Sequence, residues 1–117
     1  MSNEIQTGAD SALSLDMYVY RVSDKAIYST TNSAFEAIDT WNDARAQACE
    51  TAMTVVGDSH WADFPSVAKG VYFVLIKVRA TGSPLASDKE IGQGWMYWDG
   101  AKEINMSTEV QSWEKNG

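Results

Sequence analysis

The groups that could carry chemistry in these 117 residues are few: one histidine, one cysteine and a scatter of acids. His60 follows Ser59, with Asp58 and Asp63 close by. Serine, histidine and aspartate together can make a nucleophilic triad, in which the imidazole takes the hydroxyl proton. Neighbours along a strand, however, point to opposite faces, so Ser59 and His60 do not meet on one side. A serine nucleophile also needs an exposed elbow, and no such motif is present. His60 therefore reads as a strand residue beside a turn. Cys49 would need His60 as a neighbour in space to act as a nucleophile, and its default reading is a small buried hydrophobe. No catalytic residue is assigned.

Metal and phosphate chemistry are equally thin. One His and one Cys cannot complete a structural zinc set without carboxylates. Asp58, His60 and Asp63 cluster in sequence, but their spacing matches no loop of defined cation geometry. Gly92-Gln93-Gly94 supplies part of a glycine-rich phosphate pattern. Tyr97 stands where its third glycine belongs, and the segment enters a strand instead of a helix N-terminus. The expectation is no metal and no cofactor.

Charge narrows the partners. Sixteen acids against nine bases give a net charge of −7. The bases, from Arg21 to Lys115, are scattered and form no stripe for a phosphate backbone, so nucleic acid is a poor partner. An anionic membrane surface is disfavoured for the same reason. No apolar run reaches the ~20 residues of a membrane span. A single cysteine allows no intrachain disulfide, so the fold is not built around oxidising conditions. The polar opening Met1–Gly8 lacks a basic-then-apolar leader, and synthesis in a cytoplasm without export is expected. Five tryptophans (Trp41, Trp61, Trp95, Trp98 and Trp113) leave three uses open: core packing, a protein interface, or a platform for sugar rings.

The elements that must position these groups are mostly strands. Leu13, Leu15, Met17 and Val19 alternate with Ser14, Asp16, Tyr18 and Tyr20, which predicts a half-buried strand with the aliphatic row inward. Ser23-Asp24 turns the chain, and residues 25–30 return as a hairpin partner. Residues 34–48 break the pattern: Phe35, Ile38, Trp41, Ala44 and Ala48 recur at helical spacing, so a short helical piece is expected within 36–48. Thr40 or Asn42 would cap it and Asp43 suits its first turn. Residues 49–56 and 59–64 read as strands joined at Gly57-Asp58, with Pro65 as a stop. Residues 70–80, apolar on both faces, form the expected central strand. Residues 90–98 form the last clear strand, with Gly92 and Gly94 marking a bulge or a close backbone approach. The organisation expected is a polar arm at 1–10, a domain at 11–100 and an extension at 101–117. The fold expected is an all-β, antiparallel β-sandwich, Ig-like or jelly-roll-like, with one short helical segment.

Several short segments also carry a resemblance: Asn3-Glu4-Ile5, Ala34-Phe35-Glu36-Ala37, Ala62-Asp63-Phe64-Pro65, Gly70-Val71-Tyr72, Gly82-Ser83-Pro84, and Ile91-Gly92-Gln93-Gly94 through Trp98-Asp99-Gly100. In this order they resemble a group of small phage and prophage proteins found among virion structural components. Phe-Pro followed by Gly-Val-Tyr before a long strand is similar to Ig-like sandwich modules of phage tails and baseplates. The resemblance covers residues 3–100. The chain departs from it at 44–56, where it is richer in Ala, and after Gly100. It implies a non-enzymatic virion part: a capsid decoration or cement protein, or a neck, tail or baseplate component. Its partners would be other virion proteins and copies of itself, and its place the virion. A carbohydrate-binding module for host attachment is the alternative.

The contact surface expected from the residues combines the two ends of the chain with the tyrosine face of the first strand. Its members are Ile5, Tyr18, Tyr20, Ile104, Met106, Val110 and Trp113. Large amphipathic rings suit an interface, and the apolar groups of the tail require cover. The competing reading makes the tail part of the domain's own sheet and the tyrosines ordinary half-exposed strand residues.

Overall fold

A computed structural model describes residues 5–8, 12–38, 40–57 and 59–101. In chain order its elements are β1 (Ile5–Gly8), β2 (Leu15–Arg21), β3 (Ile27–Ser29), β4 (Ala34–Glu36), α1 (Asp43–Cys49), β5 (Thr51–Ala52), β6 (Thr54–Val56), β7 (Ser59–Ala62), β8 (Gly70–Val78) and β9 (Lys89–Trp98). They form two antiparallel sheets packed as an all-β sandwich. The larger runs β4-β3-β2-β8-β9 and the smaller β1-β7-β6.

The stretch that is apolar on both faces as far as Ile76 forms β8, which lies between β2 and β9. Its ladder with β2 runs from Leu15↔Val78 to Arg21↔Tyr72. Its ladder with β9 slips by one residue between Ile76 and Lys77, so that Ile91 is the extra residue of a bulge beside Gly92. The other edge of β2 is shared. Tyr20 pairs with Ile27 of β3, and Asp16 and Met17 pair with β5.

Strand alternation sends Leu15, Met17 and Val19 inward together with Tyr72, Val74, Ile76, Met96 and Trp98. Ala62, Phe64 and Met53 meet them from the other side. The sandwich is closed by rings: Phe64 lies 4.6 Å from Trp98 and 5.3 Å from Tyr72, centre to centre. Each such pair adds about 1 kcal/mol beyond its buried area. The polar tips are also bound, since Trp98 Nε1 donates to the Val67 carbonyl at 3.1 Å and the Tyr72 hydroxyl donates to that of Ala68. Met53 marks the seam between sheets. β5 before it belongs to the large sheet and β6 after it to the small one, and the Met53 amide donates to the Leu15 carbonyl at 2.9 Å.

Three expectations change. The short helical piece expected within 36–48 is α1, but Phe35, counted toward its spacing, is not part of it. Ala34–Glu36 is a strand paired with β3, because a turn at 30–33 lets the chain fold straight back, and Phe35 packs against the sandwich core. The helix starts only at Asp43, where the Asn42 side chain accepts from the Arg45 amide, and it takes in Cys49. Second, residues 5–8 are not an unpaired arm. Residues 5–8 pair with β7 in the small sheet, and Ile5 packs on the core. Third, Tyr18 is fully buried, for the reason given below.

Candidate functional site

The second face of the larger sheet divides into three zones, which can be followed along one row of β2: Asp16, Tyr18 and Tyr20. Asp16 lies under an ion cluster. Its carboxylate receives two hydrogen bonds from Arg79, whose guanidinium also reaches Glu50 at 3.4 Å. Burial, reinforced by the Asp16 carboxylate, pushes the Glu50 carboxyl up to about 7, against the opposing pull of Arg79.

Tyr18 lies under the connection that follows β4. Ile27, Ala46 and Cys49 bury it, and Trp41 meets its ring edge-on at 5.5 Å. That cover is fastened down. Trp41 Nε1 donates to the Ala86 carbonyl at 3.2 Å, the Ala86 amide donates to Asp43 at 2.8 Å, and Gln47 donates to the Pro84 carbonyl. Lys77 places its ammonium 4.9 Å from the Trp41 ring centre and 5.4 Å from that of Tyr18. The tyrosine face is thus a second core at this point and not a contact surface.

Tyr20 enters the third zone, which is open. It lines an apolar groove of about 500 Å³ with Phe73, Leu75 and Trp95. Val22 and Ile38 line it too, and Arg21 and Lys25 complete it. Trp95 is 52% exposed and stands edge-to-face on Phe73 at 5.4 Å. Val22, Val71 and Ile38 are each more than a third exposed as well. Contiguous apolar surface of this kind marks interaction sites more often than a scatter of single residues does. The groove's charge is partly neutralised: Arg21 binds both oxygens of Asp24, and this pairing holds the Asp24 carboxyl down at about 2. Burial raises the Tyr20 hydroxyl above its usual range.

The groups singled out for chemistry lie elsewhere. His60 is fully buried on β7, in the inward row with Ala62. Cys49, the last residue of α1, packs on the opposite side of the larger sheet, where burial raises its thiol. Among the described residues, no three His, Cys, Asp or Glu side chains are grouped to hold a metal ion, and no helix is long and apolar enough to cross a membrane.

Of the expected contact residues, the groove includes Tyr20 alone. Tyr18 is core, Ile5 is half-buried against the other core cluster, and Ile104, Met106, Val110 and Trp113 lie outside the described residues. No protein-family profile, curated protein or solved structure matches the chain. Sequence reading left Trp95 open between core, interface and platform, and it missed Val22, Ile38, Phe73 and Leu75; the five come from four separate segments. A signal was available in β8. Apolar residues on both of its faces require two covers, and the second cover, over Phe73, is incomplete.

Proposed function

We propose that this protein is a non-enzymatic virion structural part that docks on a capsid or tail protein, in multiple copies, through the open groove around Trp95. The observation that carries the reading is the half-exposed Trp95 ring over an apolar floor of Phe73, Leu75 and Tyr20. Tryptophan and tyrosine in an apolar pocket are the usual anchors of protein interfaces. The resemblance of residues 3–100 to small phage virion proteins supplies the setting. The burial of His60 supports a non-catalytic role, because a general base must come within hydrogen-bond reach of its substrate.

Sugar recognition, the competing use, is less well served by the same geometry. A carbohydrate site needs polar groups that converge on hydroxyls. Here Arg21 is engaged by Asp24, and Phe73 meets Trp95 at 73°, so the two rings do not form a flat platform.

The test is co-purification of the tagged chain with phage particles, compared with its Trp95→Ala variant. The expected result is recovery with particles and at least tenfold weaker binding of the variant, equivalent to ~1.4 kcal/mol of lost affinity. Reproducible glycan-array binding with no particle association would overturn the reading in favour of carbohydrate.

A further inference from the structure

Three neighbouring strands set the floor of the groove in one row. Tyr20 of β2 pairs with Phe73 of β8, and Phe73 pairs with Trp95 of β9. Adjacent strands lie about 4.8 Å apart, so Tyr20 and Trp95 stand roughly 10 Å apart across this row. Lys25, in the hairpin between β2 and β3, lines the groove at its Tyr20 side. The charged groups of the groove are of one sign. Among the described residues, Arg21 and Lys25 line it and no Asp or Glu does, on a chain whose net charge is −7.

The two cations are used differently. Arg21 is held by both Asp24 oxygens and lies over the Phe35 ring at 4.5 Å. Lys25 is exposed, and among the described residues no carboxylate forms an ion pair with it. Its backbone sits at φ 60°, in the left-handed region where glycine is at ease and lysine is not. The turn is braced to keep it there. The Lys25 amide donates to the Arg21 carbonyl at 2.7 Å, and the Asp24 carboxylate that holds Arg21 also accepts from the Ala26 amide at 3.2 Å. A strained residue whose side chain does nothing for its own turn, yet lines an open groove, fits a role in contact.

We infer that the groove takes an acidic, apolar segment of a partner protein, with a large apolar side chain against Trp95 and an Asp or Glu at Lys25. At roughly 3.3 Å per residue, an extended segment crossing the row places these two side chains about three residues apart. This rests on the groove being the docking surface and adds the chemistry of what docks there. Charge complementarity of this kind selects the partner and speeds encounter more than it tightens the complex. It also disfavours a second copy docked groove to groove, which would set cations against cations.

The test is a yeast-displayed library of random dodecapeptides selected on the immobilised full-length chain, with Trp95→Ala used to discard peptides that bind elsewhere. The expected result is that the retained peptides are enriched in Asp or Glu near an aromatic or large aliphatic residue. Diffuse attraction to a chain of net charge −7 would enrich bases instead. The same selection on Lys25→Glu should lose the acidic preference. One enriched peptide, made synthetically, should bind Lys25→Gln about threefold more weakly than the parent. Lys25→Gly removes the charge and the strained conformation together, so it should weaken the peptide equally while melting no lower than the parent. Retained peptides without an excess of acids, or none that depend on Trp95, would overturn the inference. A lowered melting temperature for Lys25→Gly would also overturn it, by assigning Lys25 to the fold. No particle enters this test. Acidic peptides at the groove with no particle association would leave the inference standing and remove the virion reading, and Trp95-dependent particle binding without an acidic preference would do the reverse.

Discussion

Arg79 holds Asp16 with two arms of its guanidinium, Nε on one carboxylate oxygen at 2.8 Å and Nη2 on the other at 2.9 Å. Asp16 is 1% exposed and has no access to bulk water, so Arg79 supplies what solvent would otherwise supply. Replacing Arg79 with Ala leaves a buried carboxylate without its counter-charge. The expected loss is about 3 kcal/mol, at the low end for buried pairs because Arg79 itself is one-fifth exposed. Urea denaturation at neutral pH measures it. A loss under ~1 kcal/mol would place the pair with ordinary surface ion pairs instead.

Glu50 makes the same cluster sensitive to pH. Its carboxyl is raised to about 7 from 4.5. A group that binds its proton more tightly when folded contributes stability at low pH and loses it as pH rises through the folded value. The contribution is therefore complete below about 4.5 and gone above about 7. Glu50→Gln should be more stable than the parent at pH 8, with the difference shrinking as pH falls to 5. Denaturation midpoints at the two pH values decide this, and a variant that gains nothing at pH 8 would show that Arg79 already compensates the charge.

The Tyr18 hydroxyl is buried and has no hydrogen-bond partner among the described residues. Desolvation raises its ionisation well beyond the ordinary range, so it stays neutral. Removing an unsatisfied buried group relieves a desolvation cost of about 1 kcal/mol. Tyr18→Phe should therefore raise the melting temperature while keeping the edge-on contact with Trp41. A lowered melting temperature would mean that the hydroxyl finds a partner in solution.

Two tryptophans of β9 should behave oppositely. Trp98 is 3% exposed, packs on Phe64 and donates to Val67, so Trp98→Ala should cost about 3 to 5 kcal/mol. Trp95→Ala should change folding stability by no more than about 0.5 kcal/mol, because half of its ring already faces water. Thermal melts of the two variants provide the comparison. A large loss for Trp95→Ala would show that its ring holds the sheet together.

The strands of the larger sheet were legible where one row of side chains enters a core and the next does not. Leu15, Met17 and Val19 announce β2 in this way, and the apolar run Val71–Ile76 announces β8 as central. Short elements carry too few residues for a period to register. Ile5-Gln6-Thr7-Gly8 therefore read as an arm, and Phe35 was counted with Ile38 and Trp41 as helical. Asn42 and Asp43 were legible because capping is local chemistry. The fate of Tyr18 was not, since the side chains that cover it come from α1 and from Trp41, far along the chain. The groove was illegible for the same reason: its residues belong to four segments, and only pairing brings Phe73 against Trp95 and Tyr20.

The pairing of β2 with β8 also sets the order in which the molecule can be made. Asp16 and Arg79, at one end of that ladder, are 63 residues apart. The β8–β9 hairpin can close early, whereas β2 must wait until the intervening chain has been gathered, and that closure is an entropic barrier before any contact repays it. Refolding should then take milliseconds to seconds, as for other folds dominated by distant strand pairs. During that interval the uncovered edge of β8 is where a wrong strand, from this chain or a neighbour, has time to bind.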